Sequence, residues 1–346
     1  MRRGLSQQAM IGLAIAVIIV IVAAAFVFMG GGGEGTQQQE AYKITILTGS
    51  TGGTYYPVGT AYAQLLNEYS NGLIQATAVT GKASVSNIEE ICRGTAEAGL
   101  AQNDIAYYAY HGSDKIQKFA GNPQDCIRAV AVLYPETIQI VTLADSGIQS
   151  LQDLAGKKVA VGLEGSGTYW NARQILEAAG LWDQIQPVYR SFKEVVEDLK
   201  LGAVDAAFYT AGIPTSAIEN LAAEKPIYII PVPDEVYQTL KQNYPFYTQV
   251  TIPAGTYTGL NNDVQTVAVM SMLLVHKDVP KDVVYTMTKI LFEHADELKN
   301  KVQKQSVQYI SLDHALEGLS IPLHEGAYQY YQEQGLQVPA EFQPTG

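Results

Sequence analysis

The sequence predicts an α/β protein built as two lobes around a cleft, and three observations predict it. Short β-rich runs alternate with helical patterns along most of the 346 residues. One loop design, a strand followed by a Gly/Ser/Thr turn, an aromatic residue and a helix, occurs twice, in "LTGSTGGTYYPVGTAYAQLL" and "AVGLEGSGTYWNARQIL". The two copies stand far apart in the chain and so belong to different lobes, and the length beyond the N-terminal segment is ample for two cores.

Taken in order, "KITILT" (Lys43 to Thr48) is the first strand, Val58 to Tyr69 has apolar residues at helical spacing, and "LIQATAV" (Leu73 to Val79) is the second strand. A helix over Ser84 to Arg93, a strand near "AEAGLA" and a strand at "IRAVAVL" (Ile127 to Leu133) complete a first parallel unit. After "YPETIQIVTLADSG" the pattern restarts with a strand at Lys157 to Gly162, a loop at "GSG" and a helix over Thr168 to Ala179, with Gly180 as its C-terminal stop. "VDAAFYT" and "PIYIIPV" are further strands. The chain then passes "TIPAGTYTG" and enters the apolar strand "TVAVMSMLLVHKDV" before closing helices. A chain that leaves one sheet, builds another and returns makes two lobes.

Ahead of this lies "MIGLAIAVIIVIVAAAFVFM" (Met10 to Met29), uncharged and of the length that crosses a bilayer as a helix, with Arg2 and Arg3 before it. Residues 1–29 are read as a signal or membrane anchor. Residues 30–41, "GGGGEGTQQQEA", are read as a flexible linker. The start "MRRGLSQQ" resembles the pilin-type (class III) signal of archaeal surface proteins, cut after Gly4; an uncleaved anchor and an ordinary secretory signal stand as the alternatives. All three put the folded part outside the cytoplasm, tethered to the membrane where the helix is kept.

The net charge of −12 argues against nucleic acid or an anionic bilayer as the main partner. Cys92 and Cys126 are the only two cysteines; an oxidising exterior permits a bridge between them, and a buried thiol at Cys92 is equally ordinary. The five histidines show no metal-ligand spacing and no serine sits in a nucleophile elbow, so neither enzyme nor cofactor chemistry is expected. The carboxylates are read as solvated on helical faces.

Each glycine turn precedes a helix, where free N–H groups and the positive end of the helix dipole favour an anion. Ser50, Thr54, Ser166 and Thr168 either add donors to that anion or cap the helices. Tyr55, Tyr56, Tyr169 and Trp170 either wall a pocket or fill the core. "TGKASVSN" (Thr80 to Asn87) lacks the glycine and hydroxyl of a P-loop; it reads as a third helix N-terminus capped by Ser84 or Ser86, with Lys82 solvated or in contact with an anion. Arg173 and Arg190 lie near the second loop as candidate surface residues.

On these stretches, together with "TGKASVSNIEEICRGTAEAGLAQNDIAYYAYHG", "VLYPETIQIVTLADSGIQSLQDLAGKKVAVGLEGSGTYWNARQIL", "LKLGAVDAAFYTAGIP", "YPFYTQVTIPAGTYTG" and "LEGLSIPLHEGAYQYY", the chain resembles the TAXI-type solute receptors of TRAP transporters. The resemblance implies a type II periplasmic-binding-protein fold, lobe 1 being residues 42–136 and 253–346 and lobe 2 residues 137–252, joined by crossover strands. It implies ligand contacts from Ser50, Thr51, Gly52, Gly53, Thr54, Tyr55 and Tyr56, from Ser84 and Asn87, and from Gln102 and Asp104. From the second lobe it implies Gly165, Ser166, Gly167, Thr168, Tyr169, Tyr209, Thr210 and Gly212. The function implied is capture of a small organic anion or amino acid, of glutamate or 2-oxoglutarate type, by a monomeric folded domain that delivers it to a TRAP membrane permease. A membrane-tethered sensor of the same fold is the second reading.

Overall fold

The computed structural model describes residues 40–345. The anchor and nearly all of the linker therefore lie outside the described residues. Among the described residues, no helix is long and apolar enough to cross a membrane.

From Ala41 onward the chain is one compact unit. Its first part runs β1 (Tyr42–Leu47), α1 (Tyr55–Tyr69), β2 (Ile74–Val79), α2 (Ser84–Cys92), β3 (Ala98–Gln102), α3 (Asn103–His111) and β4 (Ile127–Leu143). Next come β5 (Lys158–Ala160), α4 (Gly167–Ala178), β6 (Gln186–Val188), α5 (Phe192–Lys200), β7 (Ala206–Ala211), α6 (Ser216–Glu224), β8 (Ile227–Ile230), α7 (Asp234–Asn243) and β9 (Thr248–Ile252). The chain returns through β10 (Val264–His276) to α8 (Lys281–Glu293), α9 (Ala295–Val302) and α10 (Glu325–Glu333).

The strands hydrogen-bond in the order β2-β1-β3-β10-β4-β7-β5-β6, with β8 also on β4 and β9 also on β10. Two sequence expectations are corrected here. The strand expected to stop at Leu133 continues to Leu143, and the sheets are joined rather than separate: β4 and β10 form a long antiparallel spine, with parallel pairs only at the two ends. A proline in a central strand removes a ladder donor. Pro135 is accommodated because it stands opposite Met270 at a shift of register, a bulge that bends the strand and re-aims the residues beside it.

This bend is where the core changes hands. Ile127 and Ala129 to Tyr134 of β4 and Met272 to Val275 of β10 pack in one apolar cluster with α1, α2, α3 and α8. Ile138 and Ile140 of β4 and Val267 and Val269 of β10 pack in a second with α4, and Val141 joins a third under α5 and α6. Glu136 and Thr137 sit between, both buried.

Cys92, the last residue of α2, is bridged to Cys126 with Cα atoms 5.5 Å apart. A closed loop spanning 34 residues stabilises the fold by about 2–4 kcal/mol through the unfolded chain it restrains. Gly180 follows the end of α4 with φ 70°, the left-handed turn that glycine permits.

Candidate functional site

The first glycine loop leaves β1 at Leu47 and turns back over its end. Thr48 is buried and donates its hydroxyl to Val79 O at 2.7 Å, and the Gly53 N–H closes the turn on Ser50 O at 3.0 Å. Thr54 stands at the N-cap of α1 but does not cap it; its hydroxyl donates to Gly212 O at 3.1 Å, beyond β7. The Ala217 N–H donates to Gly52 O at 3.1 Å, so this loop is held at two points to the segment running from the end of β7 into α6.

The second loop behaves as a cap. Ser166 accepts from the Tyr169 N–H at 3.2 Å while donating to Leu163 O at 2.7 Å. Gly167 lies against the Gln102 amide, which would have to move to admit a Cβ there. The third turn differs from expectation: neither Ser84 nor Ser86 caps α2. Ala83 holds the cap position at φ 66°, Ser84 accepts from the Gln102 N–H at 3.1 Å, and the Ser86 N–H donates to Gly165 O of the second glycine loop at 3.1 Å.

Between these turns lies a cavity leaving about 50 Å³ in which the centre of a water molecule can move. That is several times what one water needs, and it suits a small organic ion. Of the predicted residues, Ser50, Gly53, Thr54, Tyr55, Ser84, Gln102, Ser166, Gly167, Thr168 and Thr210 line it. The rest do not. Thr51 and Gly52 face an outer groove against α5 and α6, and Tyr56 is half-buried outside the cavity. Asn87 is a buried brace whose Nδ2 donates to Thr48 O at 2.9 Å and Leu100 O at 2.8 Å. Gly165 and Gly212 contribute carbonyls to the contacts with Ser86 and Thr54, Tyr209 is buried against Phe192, and Tyr169 joins Trp170, Trp182 and Tyr189 in an aromatic cluster.

Asp104 is fully buried and is not a lining residue: Oδ2 accepts from Asn171 Nδ2 of α4 at 3.3 Å, and Asn171 also donates to the Tyr247 hydroxyl. Burial lifts its carboxyl to about 7 against the hydrogen bonds from Ile105 and Asn171. Arg173 is spent on Glu177 and the faces of Trp170 and Trp182.

Sequence reasoning missed the floor. Glu136 lines the cavity, is 2% exposed, and accepts from the Tyr55 hydroxyl at 2.6 Å through Oε2. Burial pushes it up to about 8; the Tyr55 hydrogen bond works against this and the nearby Asp104 adds to it. The reading of the carboxylates as solvated therefore fails at Glu136 and Asp104. At the mouth, exposed Lys82 and Arg190 line the same cavity, Arg190 also pairing with Asp198 at 3.0 Å, so both settle on the cavity rim. Phe192 closes the side, where a Cβ on Gly53 would meet its ring at 3.3 Å. The available signal for Glu136 was one carboxylate inside the apolar run "AVLYPETIQIV".

A profile of the NMT1-like family matches residues 46–335. The chain belongs to the NMT1-like family. That family is one of periplasmic solute-binding proteins, and the fold is the periplasmic-binding-protein-like α/β fold. Among solved structures, a protein of Bordetella bronchiseptica RB50 matches at 14% identity over 86% of this chain and 99% of that one, with a TM-score of 0.55. A TRAP periplasmic solute-binding protein from Citrobacter koseri with bound D-glucuronate matches at 14% identity over 85% of this chain and 95% of that one, TM-score 0.45. A marine metagenome TRAP solute-binding protein specific for pyroglutamate matches at 13% identity over 78% and 82%, TM-score 0.45.

Proposed function

We propose that this NMT1-like chain is the extracytoplasmic receptor of a TRAP-type transporter, of the TAXI kind its sequence resembles, and that it captures a small carboxylate-bearing solute without transforming it. The observation that carries the reading is one cavity lined by both glycine loops, with Lys82 and Arg190 at its mouth and the α4 N-terminus on its wall. A carboxylate entering it meets free N–H groups, hydroxyls and two cations. Residues 42–136 with 253–346 form one lobe in this reading and 137–252 the other. The contacts Thr54 to Gly212, Ala217 to Gly52 and Ser86 to Gly165 hold them shut. The closed form then docks on a membrane permease, and residues 1–41 keep the receptor beside it.

The test is a thermal-shift panel on the full chain covering amino acids, mono- and dicarboxylates, sugars and phosphate, with calorimetry on the hits. A solute bound only by the folded state raises the melting temperature by mass action. A carboxylate-bearing hit is the expected result; hits confined to sugars or phosphate overturn the ligand class. Transport is then distinguished from sensing by whether the loaded chain binds a co-encoded multi-span permease.

A further inference from the structure

The floor and the mouth of the cavity have opposite chemistry. At the mouth stand two exposed cations, Lys82 and Arg190. At the floor stand acceptors that the protein leaves without donors. Glu136 lines the cavity and its Oε2 takes the Tyr55 hydroxyl. Gln102 Oε1 and Thr210 Oγ1, on residues 2% and 5% exposed that line the same cavity, are buried and lack hydrogen-bond partners among the described residues. Buried acceptors without donors are costly, and they cluster where a ligand supplies what is missing.

We infer that the cavity selects a primary ammonium group, with Glu136 as the specificity-determining residue, so that the solute is a small amino acid lying with its nitrogen on the floor and its carboxylate toward the mouth. An ammonium ion has three N–H donors, one for each of the Glu136, Gln102 and Thr210 oxygens, and its charge supplies the counter-ion that Glu136 lacks. A dicarboxylate without nitrogen would bring no N–H donor to the floor and leave the Gln102 acceptor empty. This inference rests on the receptor reading and narrows it.

The choice leaves a trace in protons. The titratable and charged groups around Glu136 are Tyr55 on α1, Asp104 on α3, Tyr134 on its own strand, and Lys82 and Arg190 at the mouth. Burial pushes the Glu136 carboxyl up to about 8. Taking up an ammonium ion near neutral pH therefore requires the carboxyl to ionise, and its proton leaves to solvent. Affinity then rises with pH and levels off above that value. A neutral Glu136 donating to a ligand carboxylate gives the reverse slope.

The experiment is calorimetry on the full chain with each of the twenty common amino acids and its des-amino partner, such as L-glutamate with glutarate and L-alanine with propionate. At least one amino acid is expected to bind about tenfold or more tighter than its partner, with release of most of a proton near neutral pH in a comparison of two buffers. Glu136→Gln keeps an acceptor for Tyr55 and should cost that amino acid at least about tenfold, narrowing its margin over the des-amino partner. A des-amino acid that binds as tightly as its amino acid, or proton uptake on binding, overturns this inference and leaves the receptor reading standing. No binding by any member of any pair overturns both. The proton count on the wild-type chain decides the matter even if Glu136→Gln does not fold.

Discussion

After the first glycine loop the tyrosine at position 55 turns inward and donates to Glu136 at 2.6 Å, whereas after the second the tyrosine at position 169 turns outward toward Trp182 and Tyr189. The hydroxyl residues split in the same way. Thr54 reaches to Gly212, 158 residues on, while Ser166 stays local and caps its own helix. Two loops with the same pattern thus play different parts, the first ordering the floor and joining distant segments, the second presenting a helix end. A repeated motif specifies local backbone shape, and what the side chains do is decided by partners far away in sequence.

Changing the pH probes the inward tyrosine most strongly. Glu136 and Asp104 are raised to about 8 and about 7. The folded chain therefore holds protons that the unfolded chain has released, and the stability these groups contribute is whole below the ordinary carboxylate range and lost as pH rises through the raised values. Relative to Glu136→Gln, the wild type should lose on the order of a few kcal/mol between about pH 5 and about pH 9, read as diverging melting temperatures. Parallel melting curves would break the assignment of Glu136 as a buried acid.

Tyr55→Phe removes the only hydroxyl on Glu136 Oε2 among the described residues and should cost about 1–3 kcal/mol, against less than about 0.5 kcal/mol for Tyr169→Phe, both by urea denaturation. Equal costs would erase the contrast between the loops. Gly53→Asp points a carboxylate at Phe192 across the cavity and should weaken the best-bound amino acid at least about tenfold by calorimetry, through repulsion and blocked closure. Smallest is the pair of hydroxyl removals. Ser166→Ala should lower folding stability by about 1 kcal/mol, with little change in affinity once that loss is allowed for. Thr54→Val should do the opposite, weakening binding by about threefold to tenfold through the lost contact to Gly212 while helix content by circular dichroism stays constant.

Much of this was legible in the sequence because it is local. Alternating elements and glycine turns depend on neighbours, and both loops were placed on the cavity from pattern alone. The sheet was read less well: nothing near Pro135 announces that β4 passes through it, since the accommodation is a bulge opposite Met270 in a strand far down the chain. Glu136 stayed hidden for the same reason, its donor being 81 residues upstream. Asn87 and Asp104, taken over from the family resemblance, are polar and near the cleft, yet their partners are backbone carbonyls and Asn171. Only the fold separates a side chain that faces a ligand from one that braces the wall behind it.

The bridge from Cys92 to Cys126 has a mechanical consequence. Helix α2 opens on the cleft at Ser84 and ends at Cys92, while Cys126 sits one residue before the strand that carries Glu136. The sulfurs weld the jaw to its lever arm. In the receptor reading, α2 and the first half of β4 would then travel as one piece when the cleft opens.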